Sequence, residues 1–279
     1  MDKTLWEPKE IEQDRIYSLH AGGRSIFAGY TGGEWRIASS FDRGRPDIRG
    51  WEEIGGFHDT AGTAGEGMES NWTRIVAPDR RNELRATPAM PDKPLVIRPE
   101  DSIFLPEEGK GLFFLEIPLW VRVTGSGKGE SEREILLAEL PTAEMSKTWF
   151  GNPSLGELCY VRRTRASREI PYPETEGTAE KSAAAVCPVM VRNSSSSHLE
   201  FGRFCLRTEF LSIYGGERRL WTSSVELDYR GKEETAQNTG TGAPEQLEGK
   251  GVLLAPPRAV PDNNLVRKSF SLLKDLTGW

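Results

Sequence analysis

Along much of the chain, apolar and polar residues alternate with a period of two, the spacing that sends successive side chains to opposite faces of a strand. In "SSVELDYRG", Val225, Leu227 and Tyr229 share one face, and Glu226, Asp228 and Arg230 share the other. Just upstream, "FLSIYGGERRLW" sets Gly215-Gly216 between two β-rich runs. This predicts a hairpin, because glycine enters positive φ without a Cβ clash. "AAAVCPVMVRN" and "LEFGRFCLRTEF" read as two more strands joined by the polar turn "SSSSH". The most apolar segment, "GKGLFFLEIPLWVRV", contains Pro118, which has no N–H for a ladder and belongs at a bulge or an edge. "KPLVIRPEDSIFLP" before it and "REILLAELP" after it complete a dense β region.

Three stretches depart from this rhythm. Residues 41–70 hold seven glycines and no sustained period, which predicts a long loop. The tract from Gly231 to Gly251 is polar and rich in Gly, Thr and Glu, which predicts a linker. Beyond Pro261 the period changes: Val266, Phe270, Leu273 and Leu276 fall at helical spacing after an Asp/Asn start, with Gly278 near the stop. The expected architecture is therefore mainly β, an antiparallel β-sandwich (one large or two small) with a C-terminal amphipathic helix. The expected division is an N-terminal β domain over 1–124, a C-terminal β-sandwich over 125–230, a flexible linker over 231–261 and the helix over 262–279.

With 279 residues the chain is long enough for a substantial core, and its 29 glycines and 18 prolines favour turns over long helices. A net charge of −6 argues against general binding to nucleic acid or anionic membranes. The N-terminal stretch lacks the apolar centre of a signal peptide and no run of about 18 apolar residues occurs, so the reading is a soluble, cytoplasmic protein that does not span a membrane. Cys159, Cys187 and Cys205 are odd in number and lie in apolar runs, which predicts buried free thiols. The glycosylation-like triplets at Asn71 and Asn193 are read as coincidence without a secretory route.

Motifs for chemistry mostly fail. "TGSGKGES" lacks a phosphate loop's first glycine, where Arg122 stands, and its Ser or Thr, where Gly129 stands, and so reads as a hairpin turn. No dinucleotide fingerprint supports a nicotinamide or flavin cofactor, and no cofactor is expected. His20, His58 and His198 are isolated, with no spacing that gathers metal ligands. A Cys159–His58 nucleophile pair is conceivable, but "GELCYV" reads more simply as a strand with a buried thiol. No catalytic residue is assigned. Eight tryptophans raise a stacking surface, with Trp51 and Trp279 standing outside any expected strand.

"SKTWFGNPSLGELCYVRRTRAS" resembles a segment of an uncharacterised, largely archaeal family, domain of unknown function number 432. Lys147, Gly151, Pro153, Gly156, Cys159 and Ser167 match in order, while Trp149-Phe150 replaces Leu-Tyr and Tyr160-Val161 stands near an Arg-Tyr pair. Proline-punctuated strands before it and a late β region after it extend the resemblance over roughly residues 80–230. The resemblance implies no catalytic residues, and as partner it implies only an association with genes neighbouring mechanosensitive channels.

Three functions follow as expectations. The first is a non-enzymatic module that binds a protein partner, with Val266, Phe270, Leu273 and Leu276 as a helix for a partner's groove or, as the plainer alternative, for the protein's own sheet edge or core. The second is an enzyme or sensor that gathers a phosphorylated or carboxylated ligand with Arg162, Arg163, Arg165 and Arg168. Alternation puts Arg162 opposite Arg163 and Arg165, so all converge only if the strand ends early. The third is carbohydrate binding through exposed tryptophans.

Overall fold

The computed structural model describes residues 6–41, 49–57, 72–77, 83–126, 134–151, 156–164, 166–171, 183–231 and 235–260. The protein is mainly β, and its chain divides into two units interleaved along the sequence: 1–89, 119–144 and 173–183 in one, 90–118, 145–172 and 184–279 in the other.

The first unit is a two-sheet sandwich. One sheet runs β5 (Arg49–Gly56), β2 (Arg15–Ala21), β3 (Arg24–Thr31), β4 (Glu34–Phe41) and β6 (Thr73–Val76). The other runs β1 (Lys9–Glu10), β7 (Glu83–Ala89), β11 (Trp120–Ser126) and β12 (Ile135–Pro141). All pairings are antiparallel, including β11 with β12 across the glycine-rich "TGSGKGES". One apolar core joins the inner faces, with Leu19, Ile26 and Trp35 from one sheet and Leu84, Val123 and Leu137 from the other. Trp35 is fully buried, and a Cβ on Gly125 would meet Cε2, Cζ2 and Nε1 of its indole, the last at 2.8 Å. Position 125 is therefore glycine because an indole from the facing sheet occupies the side-chain space. The buried Glu34 carboxylate takes a forked hydrogen bond from Arg74 of edge strand β6, at 2.8 Å to each oxygen, and another from Arg36. Chiefly through Arg74, these bonds hold it below the usual carboxylate range.

In the second unit the central strand is β15 (Ala184–Asn193), which pairs antiparallel with β10 (Lys110–Pro118) along its whole length. Its other side is shared by β19 (Leu220–Thr222) at residues 185–186 and β20 (Val225–Tyr229) at residues 189–193, both parallel. Pro188, lacking an N–H, sits in the gap between these two partners. β21 (Thr235–Thr239) extends the sheet beyond β20, while β18 (Ile213–Gly215) and β22 (Val252–Ala255) extend it beyond β19. A second, four-stranded sheet runs β13 (Ser146–Phe150), β14 (Glu157–Thr164), β8 (Leu95–Pro99) and β17 (Phe204–Leu206), with β14 and β8 parallel. A ribbon of β9 (Ile103–Leu105) and β16 (Leu199–Phe201) completes the unit. Phe113 of β10, Phe201 of β16 and Phe204 of β17 meet edge to face in sequence and so link the three.

The hairpin at Gly215-Gly216 and the alternation of β20 match the sequence pattern. Pro118 ends β10, consistent with its missing donor. Two features differ. Within the stretch read as a loop, Arg49–Gly56 is strand β5, and Trp51 packs into the first unit's core. Register shifts between β5 and β2 break the alternation that would have marked it. Within the stretch read as a linker lie β21 and β22, both at sheet edges. Asn193 of the second glycosylation-like triplet is fully buried: its Nδ2 bonds the carbonyls of Leu105, Pro106 and Ser197, and its Oδ1 accepts from Ser195. It pins the "SSSS" turn and is closed to any glycan. The helix over 262–279 and most of the stretch 41–70 lie outside the described residues, as do Asn71, His58 and Trp279.

Gly125→Ala is expected to lower stability by about 1–3 kcal/mol, the cost of overpacking a filled core. Adding Trp35→Phe is expected to recover part of that loss, so that denaturant unfolding shows non-additivity. Purely additive losses would show that the two residues do not compete for the same space.

Candidate functional site

One face of the four-stranded sheet of the second unit gathers cysteine, arginine and glutamate side chains. Alternation sends Glu157, Cys159 and Val161 of β14 to one face and Leu158, Tyr160 and Arg162 to the other. Val161 and Cys205 both stand opposite Val96 of β8, which lies between their strands. Cys159 and Cys205 thus share a face, and they form a buried cluster with Val96 and Phe150. Both thiols are fully buried, and the Cys159 thiol donates to the Glu157 carbonyl at 3.6 Å. The neighbouring Cys205 draws the Cys159 thiol below its usual range, and Cys159 together with burial pushes Cys205 well above. Cys187, on β15 in the other sheet, is pushed up by burial to about 12.

Arg207 follows Cys205 on the same face and is only 4% exposed. Its Nη2 pairs with the Glu157 carboxylate, and Glu209 stands 4.0 Å from Nη1. Burial opposes its charge, but the Glu157 hydrogen bond, with Cys205 and Glu209 nearby, outweighs that and raises its pKa. Among the described residues, Nε and Nη1 have no hydrogen-bond partner. The backbone of Arg207 is held from both sides by the Gln237 amide of β21, which accepts from its N–H at 2.9 Å and donates to its carbonyl at 3.3 Å. Arg203 stands two residues before Cys205, 5.0 Å above the Phe150 ring, and donates to the Trp149 carbonyl.

The arginines singled out from the sequence are dispersed. Arg162 is half-buried on the face opposite Cys159; burial lowers its pKa, and Glu116 partly offsets this. Arg163 is exposed and pairs laterally with Arg98. Arg168 lines an open cavity of about 390 Å³ with Glu100, Asp101, Ser167 and Glu169, so three carboxylates face one guanidinium there. Arg165 and the four apolar residues of the expected helix lie outside the described residues. Reading the sequence overlooked Arg207 as part of a cluster. Its signal was an inward register, Arg203-Cys205-Arg207, inside the otherwise apolar "LEFGRFCLRTEF".

The outer face of this sheet differs in character. Trp149 and Leu158 are cross-strand partners, 50% and 43% exposed, on edge strand β13 and its neighbour β14. Beside them the Tyr160 hydroxyl donates to Asp92, and burial with this bond pushes the phenol up to about 12. Among the described residues, no helix is long and apolar enough to cross a membrane, and no three His, Cys, Asp or Glu side chains are placed to hold a metal ion.

Together these features define a protein of two β units, the second carrying a buried thiol–arginine cluster beneath a partly apolar edge. The chain belongs to the family described as Protein of unknown function (DUF432), whose model matches residues 5–274. The match extends well beyond the segment that carried the resemblance. No curated protein and no solved structure matches the chain.

Glu157→Gln is expected to cost about 2 kcal/mol, because it strands a buried guanidinium. Glu157→Leu with Arg207→Met removes both charges and is expected to recover most of that loss. Equal losses in the single and double variants, measured by denaturant unfolding, would contradict this.

Proposed function

We propose that this protein is a non-enzymatic binding module of the cytoplasm that recruits a protein partner through the edge strand β13. The observation that carries this reading is the Trp149–Leu158 pair, about half exposed on the strand that ends its sheet among the described residues. An edge strand is a template for an added strand, here one that leaves the Trp149 carbonyl bonded to Arg203, and a neighbouring aromatic gives such a strand an anchor for an apolar side chain. Lys147, exposed on the same face, favours an acidic residue next to that anchor. The C-terminal segment with Val266, Phe270, Leu273 and Leu276 supplies a second, helical contact to the partner. The chain approaches that segment through Arg258, whose Nε donates to the Met90 carbonyl, and Val260, which is 85% exposed.

Anion binding by Arg162, Arg163, Arg165 and Arg168 draws less support. Arg162 and Arg163 leave β14 on opposite faces, and carboxylates outnumber the guanidinium in the cavity beside Arg168.

Trp149→Ala is expected to leave stability within about 0.5 kcal/mol, as for most surface changes, and to abolish co-purification of the partner from native cells. Removing Pro261–Trp279 is expected to weaken that capture with little change in Tm. Identical partner sets for wild type and Trp149→Ala would overturn the assignment of the edge. A large Tm loss on truncation would show that the segment packs on its own domain.

A further inference from the structure

From the register of three strands we infer that Arg163, Arg98 and Arg203 form a binding site for a small ligand carrying a diphosphate group, separate from partner capture at the outer face of β13. The three come from β14, β8 and the residue that leads into β17, and are far apart in sequence. Arg163 is the cross-strand partner of Arg98 in the parallel pair of β14 and β8. On the other side of β8, Phe204 pairs with Ile97, so the preceding residue, Arg203, comes level with Arg98. Residues opposite one another in a sheet share a face, and neighbouring strands lie about 4.8 Å apart. The three arginines therefore stand as a row across the sheet, on the face that carries Cys159, Val96 and Cys205.

The row lacks a counter-charge. Like charges directly opposite one another destabilise a sheet, and burial, followed by the charge of Arg98, lowers the pKa of Arg203. Arg98 and Arg163 are exposed, and among the described residues neither has an ion pair or a side-chain hydrogen bond. Arg203 is half-buried and held in place: its Nη2 donates to the Trp149 carbonyl at 3.2 Å, and its guanidinium lies 5.0 Å from the centre of the Phe150 ring. Its Nε is closed off from water and has no partner among the described residues. β13 and β17 are the outer strands of this sheet, about 14 Å apart if it were flat, so an arginine beside β17 that bonds the backbone of β13 requires the sheet to curl toward this face. The row thus lines the concave side. Arg207, on the same face, adds no net charge, because Glu157 and Glu209 stand beside it. Glu100, two residues past Arg98, lies beyond the end of β8 and lines the cavity that holds Arg168.

Guanidinium forks take phosphoryl oxygens two at a time. One phosphoryl group bridges one step of the row, whereas two joined through an oxygen span both steps and engage all three arginines. On a chain of net charge −6 the overall field does not attract an anion, so binding depends on these local contacts. The row also differs from the arginine run along β14, in which Arg162 leaves by the opposite face.

The test is isothermal titration calorimetry of the full-length protein with inorganic pyrophosphate, orthophosphate and sulfate, at a fixed ionic strength of about 0.1 M. One pyrophosphate is expected per chain, bound at least about tenfold more tightly than orthophosphate or sulfate, the effect of one further charged hydrogen bond. Arg98→Gln, Arg163→Gln and Arg203→Gln are each expected to weaken pyrophosphate binding at least about tenfold, and Arg162→Gln to bind as wild type. Should Arg203→Gln fail to fold, the two exposed positions decide the matter alone. Absence of binding by wild type, unchanged affinity in Arg98→Gln or Arg163→Gln, or an equal loss in Arg162→Gln would each overturn the site. Orthophosphate or sulfate bound as tightly as pyrophosphate would overturn the diphosphate assignment.

Discussion

A guanidinium shielded from water has to be paired, because an isolated buried charge is far more costly than the structure around it can offset. Arg207 imposes that constraint on the second unit. Its charge brings Glu157 of β14 across β8, and its backbone is clamped by Gln237 of β21, so the two large sheets are tied through one residue. Directly after it, Thr208 donates to the Lys93 carbonyl and fixes the start of β8. Cys159 and Cys205 lie in the field of this charge, and buried thiols there differ in acidity from thiols in an apolar core. Cys187, which burial alone pushes up, provides the comparison within the same molecule.

The first unit meets a different constraint by shape. The Trp35 indole fills the space above Gly125, and Tyr30 packs edge-on against it at 5.4 Å. Its buried carboxylate Glu34 is neutralised by two arginines, as Glu157 neutralises Arg207. Both units therefore spend polar interactions on joining strands that the chain does not connect directly. A family model that spans residues 5–274 is consistent with both units belonging to one evolutionary unit.

Strands with one wet and one dry face were legible in the sequence. β20 alternates cleanly, and the Gly215-Gly216 hairpin lies where the sequence places it, although neither glycine takes positive φ and a Cβ on Gly216 would instead meet the Trp221 indole at 3.0 Å. β5 was hidden because bulges shift its register against β2, leaving Trp51 as its main inward anchor amid glycines and acids. β22 was hidden because an edge strand with Val252 and Leu253 more than half exposed carries no burial pattern. The parallel pairings of β15 and β14 depend on strands brought together from distant parts of the chain, which local periodicity does not encode. The thiols were legible as buried, but their meeting across β8 and the reach of Arg207 to Glu157 are tertiary facts. The dispersal of Arg162 and Arg163 onto opposite faces, by contrast, followed from alternation alone.

The most direct test of the thiol–arginine cluster is an ultraviolet titration of thiolate formation in the metal-free, reduced protein, with single cysteine-to-serine variants to assign each step. Cys159 is predicted to ionise below the ordinary thiol range, while Cys205 stays protonated well above it and Cys187 to about 12. Three thiols titrating together near about 8.5, the value of a free cysteine, would contradict the account.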